Sequence, residues 1–246
     1  MTTTAKVLQV LRLFKDGRTV LRIGDVMEHL EVSCATAYRY LGDLELAGLV
    51  ERTSASQYVL GSEVVELDRL IRENDPLIAA ARDLMTMLAE RTGGTVLLAR
   101  LHGRKVMCVH EVRGRYAPPH VSYVRGRSMP LFRGATSRAI LACLPVDTLR
   151  ALVADEGERL QQAGLPDSLE QLQAVLAGIR QRKVCSSLGE VDPQAHGWAA
   201  PVFSRQQLLG SLSVVLWSGA PQVQGERVGD QVLRAALRLQ GRLESA

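Results

Sequence analysis

The order of apolar and polar residues near the start of the chain has the period of short amphipathic helices. Residues 5–15 repeat apolar side chains at three- and four-residue steps, at Val7, Leu8, Val10, Leu11 and Phe14. A second stripe runs through "RIGDVMEHL", and a third follows Ser33, a good N-cap residue. We expect the third helix to turn five side chains inward: Ala37, Tyr40, Leu41, Leu44 and Leu46. The pattern therefore predicts three helices before residue 47.

Two short apolar runs follow these helices. Gly48 stands where a left-handed residue is expected after a helix, and "LVERTSASQYVLG" predicts two strands around a serine-rich turn. A tight turn separates the second and third helices, which lets the third project from the body. Three helices and a hairpin indicate a winged helix-turn-helix. Residues 62–74 then predict a linker helix that is acidic on its polar side.

The pattern changes after Pro76, so we place a domain boundary near residue 75. Helical periods are found in "LIAAARDLMTMLAERTGG", "GATSRAILACL", "DSLEQLQAVLAGIRQRK", with Asp167 or Ser168 as its N-cap, and "GERVGDQVLRAALRLQGRL". Strand patterns are found in "TVLLARL", "KVMCVHEV", "HVSYV", "KVCSSL", "GWAAPVF" and "GSLSVVLW", with "HGR" as a tight turn. We predict an α+β fold with a mostly antiparallel sheet.

Charge is distributed unevenly along the chain. The formal net charge is +4, yet residues 1–60 hold seven basic and seven acidic side chains, whereas residues 91–138 hold ten basic and one acidic. A DNA-binding function for the first helices must therefore depend on local geometry rather than on bulk charge.

Several classes of protein are disfavoured by the composition. No stretch approaches the roughly 18 consecutive apolar residues of a membrane span, and the start lacks the pattern of a signal peptide, so we expect a cytoplasmic protein without membrane contact. The four cysteines lie far apart, which predicts isolated buried thiols: Cys34, Cys108, Cys143 and Cys185.

No chemistry of a metal site or an active site is indicated by the spacing of residues. Four of the five histidines are candidates and lack the spacing of metal ligands: His102, His110, His120 and His196. Neither Ser187 nor Ser213 lies in a G-x-S-x-G turn, and no histidine and acid can be paired with them. We expect no metal, no cofactor and no catalytic residue.

The start of the third helix carries polar side chains on the face that a recognition helix inserts into the major groove. These are Ser33, Cys34, Thr36, Tyr38 and Arg39. Arg39 has the chemistry to bind guanine in bidentate fashion or to contact phosphate. The alternative is a solvated helix face, but the short helix and turn before it and the hairpin after it favour DNA recognition.

These segments resemble the IclR-type transcriptional regulators. The resemblance lies in "TAKVLQVLRLF", "RIGDVMEHLEVSCATAYRYLGDLELAGLVER" and "YVLGSEVVEL", and continues through "PLIAAARDLMTMLAERTGGTVLLARLHGRKVMCVHEV", "SMPLFRGATSRAILACLP" and "HGWAAPVF". It implies a DNA-binding domain over residues 1–61, a linker helix over 62–75 and a GAF-like effector-binding and oligomerisation domain over 76–246. It also implies a homodimer or dimer of dimers on palindromic double-stranded operator DNA.

The resemblance further implies where a small-molecule effector binds. The family's pocket segments fall on Gly134, Ala135, Thr136, Ser187, Gly197 and Ser213. Cys34, Phe132, Arg133, Ser187 and Val215 depart from residues common in the family, so no relative's effector transfers to this chain. Since Ser187 replaces a common acid, we expect an anionic effector to meet less repulsion.

Four arginines between residues 125 and 138 suggest what the effector is. Arg125, Arg127, Arg133 and Arg138 precede or enter a helix that begins near Gly134, whose N-terminal N–H groups favour anions. We hypothesise a carboxylic or aromatic acid as the effector, bound by Arg133 or Arg138. The alternative is that these arginines are solvated or pair with acidic linker helices of a neighbouring subunit.

The chain is thus interpreted as an effector-responsive transcriptional regulator of a catabolic operon. Two other interpretations stay open: a GAF-like small-molecule-binding or enzymatic protein that uses its winged helix only as an interaction module, and a dimerising adaptor without a ligand.

Overall fold

The computed structural model describes residues 2–117, 121–218 and 225–245, without the side chains at positions 15, 16, 225 and 226. The chain divides into two compact units, one up to Asn74 and one from Asp75 onward. Within the described ranges, no helix is both long enough and apolar enough to cross a bilayer.

The first unit consists of helices and a small antiparallel sheet of order β1-β3-β2. Its elements are α1 (Thr3–Val10), a 3-10 helix (Leu11–Asp16), β1 (Leu21–Arg22), α2 (Ile23–Leu30), α3 (Cys34–Leu46), β2 (Val50–Ser54), β3 (Gln57–Leu60) and α4 (Ser62–Asn74). The predicted winged helix-turn-helix is confirmed. The first helix tightens into a 3-10 helix after Val10, and β1 is too short to leave a periodic signal.

The core of the first unit forms where the apolar stripes of α2 and α3 meet the sheet. Val26, Leu41, Val50 and Tyr58 are all at most 2% exposed. The expectation that Leu46 faces inward is wrong, because its side chain is 91% exposed. Inward positions on α3 repeat at three- and four-residue steps up to Leu44, and a residue two positions further points away from that stripe.

The second unit is built on a six-stranded antiparallel sheet of order β6-β5-β4-β9-β8-β7. Its elements are α5 (Pro76–Thr92), β4 (Thr95–His102), β5 (Lys105–Arg113), β6 (Ser128–Pro130), α6 (Gly134–Leu141), α7 (Val146–Gln162), α8 (Leu169–Arg182), β7 (Cys185–Leu188), β8 (Ala195–Ser204), β9 (Gln207–Trp217) and α9 (Gly225–Ser245). The predicted α+β fold with a mostly antiparallel sheet is confirmed.

Each face of this sheet packs against its own helices because successive strand residues point to opposite sides. Leu97 and Ala99 of β4 face a core that includes α6, α7 and α8. Val96 and Leu98 of the same strand face α5 and α9. The second unit is therefore a three-layer structure with the sheet in the middle.

Two parts of the second unit differ from the expectation. Residues 121–124 of the predicted strand "HVSYV" are not in a strand, because Ser122 is held by Asp192 through its N–H and its hydroxyl. His120 lies outside the described residues. Helix α7 was not expected, and its helical backbone is interrupted at Glu156, where φ is −132°.

We expect Gly210 to be essential for the central strands. It pairs with Arg100 and Val202 on the two neighbouring strands, and a Cβ built on it would lie 1.8 Å from the carbonyl oxygen of Ala99. Gly210→Ala should therefore lower the free energy of unfolding of the second unit by about 2 kcal/mol or more. Urea unfolding followed by tryptophan fluorescence measures this unit alone, since Trp198 and Trp217 both belong to it.

Gly241→Ala is the matched control for this substitution. Gly241 lies in α9 with nothing within 4 Å of a built Cβ, so alanine should raise stability by up to about 1 kcal/mol. Equal unfolding midpoints for the two variants would contradict the steric argument.

Candidate functional site

A three-residue turn presents α3 to the outside of the first unit. Helix α2 ends at Leu30, and Glu31 then adopts a left-handed conformation with φ of 52°. Ser33 is the N-cap of α3, where its Oγ accepts a hydrogen bond from the Thr36 N–H at 3.3 Å. The hydroxyls of Ser33 and Thr36 lie 3.0 Å apart. This geometry is that of a helix-turn-helix with a capped second helix.

The first two turns of α3 carry all five residues predicted to contact DNA. Ser33, Cys34, Tyr38 and Arg39 are exposed, and Thr36 is half-buried. The Arg39 guanidinium carbon lies 5.6 Å from the centre of the Tyr40 ring, whose burial anchors the opposite face of the helix. The leading face of α3 is therefore accessible.

Arg52 in the wing was not singled out from the sequence. Its guanidinium donates to the carbonyl oxygens of Ser54 and Ala55 at 3.1 and 2.5 Å, which fixes the turn between β2 and β3. The positive charge of this exposed side chain therefore lies in the β2–β3 hairpin, which is the wing of the helix-turn-helix. Arginine at a wing is typical of phosphate or minor-groove contact, but one arginine in a short strand leaves no distinctive spacing in the sequence.

The residues expected to bind the effector converge at the start of α6. Gly134, Ala135 and Thr136 form its first turn, and Ser187 on β7 lies opposite Gly197 on β8. These five residues line a cavity of about 30 Å³. Ser213 on β9 lies behind it, with its hydroxyl 2.9 Å from that of Thr136.

Two of the N-terminal N–H groups of α6 already have acceptors within the chain. The Ala135 N–H donates to Ser187 Oγ at 2.8 Å, and the Gly134 N–H donates to Glu190 Oε2 at 3.1 Å. A carboxylate is favoured at this position by the helix dipole. Glu190 therefore occupies the place where an anionic ligand was expected.

Arg138 is part of the same arrangement. Its Nη1 lies 2.7 Å from Glu190 Oε1, and its Nη2 donates to the carbonyl oxygen of Ala163 at 2.7 Å. Both side chains of the ion pair are largely buried, at 15% and 26% exposure. A buried pair of this kind is costly to break from one side.

The other central arginines have separate partners. Arg133 donates to the carbonyl oxygen of Glu190 at 2.6 Å, and Arg125 donates to that of Val109 at 2.8 Å. Neither Arg133 nor Arg138 is among the described residues that line the cavity.

The expectation of reduced repulsion for an anion is wrong. Glu190 and Asp192 both line the cavity and supply carboxylates there, although Ser187 stands where an acid is common in the family. They lie in the loop after β7, which has no periodic pattern, so sequence reasoning missed them. Tyr123 also lines the cavity, and its buried hydroxyl donates to the carbonyl oxygen of Arg133 at 2.9 Å.

The cysteines have three kinds of environment. Cys108 and Cys185 are buried, and burial raises their pKa values to about 12 and about 11. Cys143 is half-buried, and burial raises its pKa as well. The expectation of a buried thiol is wrong for Cys34, which is exposed on the leading face of α3. Among the residues that the structure describes, no group of His, Cys, Asp and Glu is arranged to hold a metal ion.

Comparison with known proteins agrees with both units. Residues 3–54 match the IclR helix-turn-helix domain, and residues 71–240 match the bacterial transcriptional regulator IclR C-terminal domain. The chain belongs to the IclR family. This IclR-family protein therefore combines a DNA-binding domain with a C-terminal effector-binding domain.

Its relatives are transcriptional regulators rather than enzymes. It is 26% identical over 238 residues to the regulator XynR of Escherichia coli, covering 95% of this chain and 94% of XynR. It is 30% identical over 203 residues to the glycerol operon regulatory protein of Streptomyces coelicolor, covering 81% and 78%. An IclR homologue from Microbacterium hydrocarbonoxydans, crystallised in complex with 4-hydroxybenzoate, has the same fold, with a TM-score of 0.80 at 20% identity over the full length of both chains.

Proposed function

We propose that this protein is a cytoplasmic homodimer, or a dimer of dimers, that binds a palindromic operator and controls a catabolic operon in response to a small carboxylic or aromatic acid. In this proposal residues 1–61 bind DNA, residues 62–75 form the linker helix between the two domains, and residues 76–246 bind the effector and oligomerise. No cofactor besides the effector is needed. The observation that carries the proposal is the internal carboxylate of Glu190 at the start of α6.

The proposed DNA contacts come from the leading face of α3. Ser33, Cys34, Thr36, Tyr38 and Arg39 lie there, and four of the five are exposed. Elsewhere in the first unit Arg18 is paired with Asp25 at 3.1 Å, which reduces the charge available for phosphate contacts. Arg39 is therefore the side chain best placed for direct readout of a base.

Arg39→Ala should weaken binding to the operator by about 5- to 150-fold, which corresponds to about 1–3 kcal/mol, if the guanidinium reads a base. Gel shifts on DNA upstream of the protein's own gene and on a random duplex at the same salt concentration measure this. Arg39→Lys is the control, because lysine keeps the charge and loses bidentate geometry. An equal loss of affinity for both duplexes, or wild-type affinity of Arg39→Lys for the operator, would make Arg39 a phosphate contact.

Helix α4 supports a dimer. None of its side chains is buried, although Val64, Leu67, Leu70 and Ile71 form one apolar stripe. Leu67, Leu70 and Ile71 are 43%, 45% and 57% exposed. A second copy that packs its own α4 on this stripe would bury it and join two recognition helices in one dimer, and successive major grooves require those helices to be about 34–36 Å apart.

Ile71→Glu should lower the oligomeric state of the protein, because a carboxylate would enter the apolar contact between the two α4 helices. Light scattering measures the mass, and a gel shift on a palindromic operator should show weaker binding. Val65→Glu is the matched control, since Val65 is 66% exposed on the opposite side of α4. The same mass for wild type and Ile71→Glu would contradict a dimer through α4.

The proposed effector site is the start of α6, with Arg133, Gly134, Ala135, Thr136, Arg138, Ser187, Gly197 and Ser213 as its residues. Glu190 supports a carboxylate ligand, since its own carboxylate accepts from Gly134 and pairs with Arg138 there. At about 30 Å³ the cavity is far smaller than the roughly 300–1,000 Å³ of a ligand site. The effector's carboxylate must therefore displace that of Glu190 and open the cavity.

Glu190→Gln should bind a carboxylate effector about tenfold more tightly, because the internal competitor loses its charge and its ion pair with Arg138. Calorimetric titration with a panel of carboxylic acids measures this, beginning with 4-hydroxybenzoate. Glu170→Gln is the matched control, because Glu170 is exposed on α8.

The same titration distinguishes the two arginines near α6. An unchanged affinity in Arg133→Ala would assign the carboxylate contact to Arg138 and remove Arg133 from the site. Affinity that is equal in wild type and Glu190→Gln for every acid that binds would contradict displacement of Glu190.

A further inference from the structure

A second, larger cavity lies at the other end of α6. It has a volume of about 430 Å³, within the range of small-molecule sites. Its lining comes from the ends of α6 and α8, from β8 and from α9: Ala139, Ala142, Cys143, Ile179, Arg180, Lys183, Pro201, Phe203, Leu233, Leu237 and Gln240. We propose that this cavity binds a carboxylate with an apolar body, such as a medium-chain fatty acid.

The position of the cavity follows from the short length of β7. Strand β7 pairs with β8 only as far as the Cys185–Ala199 pair, so the rest of β8 forms a free edge between the helical layers. Pro201 has no N–H group on this edge, and the Phe203 N–H donates to Gln240 Oε1 at 3.2 Å. An added β-strand is therefore disfavoured at this edge, and the space suits a small molecule instead.

The lining is apolar with cations at one side. Ala139, Ala142 and Ile179 are buried, whereas Leu237 is 51% exposed at the rim. Arg180 and Lys183 supply two positive charges, and none of the described lining residues is an acid. The body of the ligand would contact the apolar side chains, and its charged group would face the cations.

The charge of the site favours an anion even after the helix dipoles are included. The carboxyl ends of α6 and α8 each contribute about half a negative charge near the cavity. Arg180 reduces that of α6 by donating to the carbonyl oxygen of Ala142 at 2.9 Å. Two cations against about one negative charge leave the site positive. This site is separate from the effector site proposed at the start of α6.

Calorimetry with octanoate on the full chain tests the proposal. Affinity should rise about fourfold for each added methylene from butanoate to octanoate, because each one is removed from water. Octan-1-ol should bind more weakly than octanoate. Lys183→Asn should weaken the binding of octanoate, because it removes a positive charge, and leave the binding of octan-1-ol unchanged. Asparagine is the chosen residue because it tolerates the left-handed conformation of residue 183, where φ is 57°.

Two variants place the ligand. Leu237→Asp should abolish octanoate binding, because it puts a carboxylate at the rim of the cavity. Leu188→Asp is the matched control, since Leu188 is 64% exposed on β7 and outside the lining. In a Cys34→Ser background, saturating octanoate should slow the reaction of Cys143 with a thiol reagent at least fivefold, while buried Cys108 and Cys185 stay inert.

Three results would overturn the proposal. One is the absence of octanoate binding by the wild-type chain. Another is equal loss of binding in Leu188→Asp and Leu237→Asp. The third is a lower mass of Leu237→Asp in light scattering, which would make the cavity an interface between copies of the chain.

Discussion

The alternation of side chains along β4, β8 and β9 is the constraint on which the second unit depends. Because each strand must cover two faces, residues one position apart belong to different cores, as Leu97 and Leu98 do. This separates α6, α7 and α8 from α5 and α9. Both ends of α6 then lie at places where strands stop: its start faces the loop after β7, and its end faces the free edge of β8. The positions of the small cavity at the start of α6 and of the cavity of about 430 Å³ at its end follow from that arrangement.

Glu190 makes the start of α6 a site that the protein itself fills. The Glu190 carboxylate accepts a hydrogen bond from the Gly134 N–H and pairs with the Arg138 guanidinium. It also lies at the positive end of the α6 dipole. A ligand shifts an equilibrium only by its differential affinity for two states, so in the proposed displacement an effector gains only the difference between its own contacts and those of Glu190. Under this proposal, ligands that offer only a carboxylate gain little, and selectivity comes from the rest of the molecule.

Much of the fold could be predicted because the informative patterns are local. Ser33 as an N-cap, Gly48 after α3 and the span of α4 follow from residues within a few positions of one another. The errors concern interactions between distant residues. The segment 121–124 has the alternation of a strand, but Asp192 binds Ser122 through hydrogen bonds. Leu46 is apolar but 91% exposed. Five of the residues that line the small cavity were predicted from the resemblance to a family, whereas Glu190 was missed because only the fold brings its loop to α6.

The chain's last helix is tied to the first helix of the same unit. Arg242 binds the Asp83 carboxylate with both of its terminal nitrogens, at 2.5 and 2.9 Å, and β9 pairs with β4 in the middle of the sheet. Such long-range pairings form slowly and require the whole unit to be present. The first unit has its own core and is synthesised first. During translation, the DNA-binding unit therefore completes its structure while the sensing unit still awaits its final strand and helix.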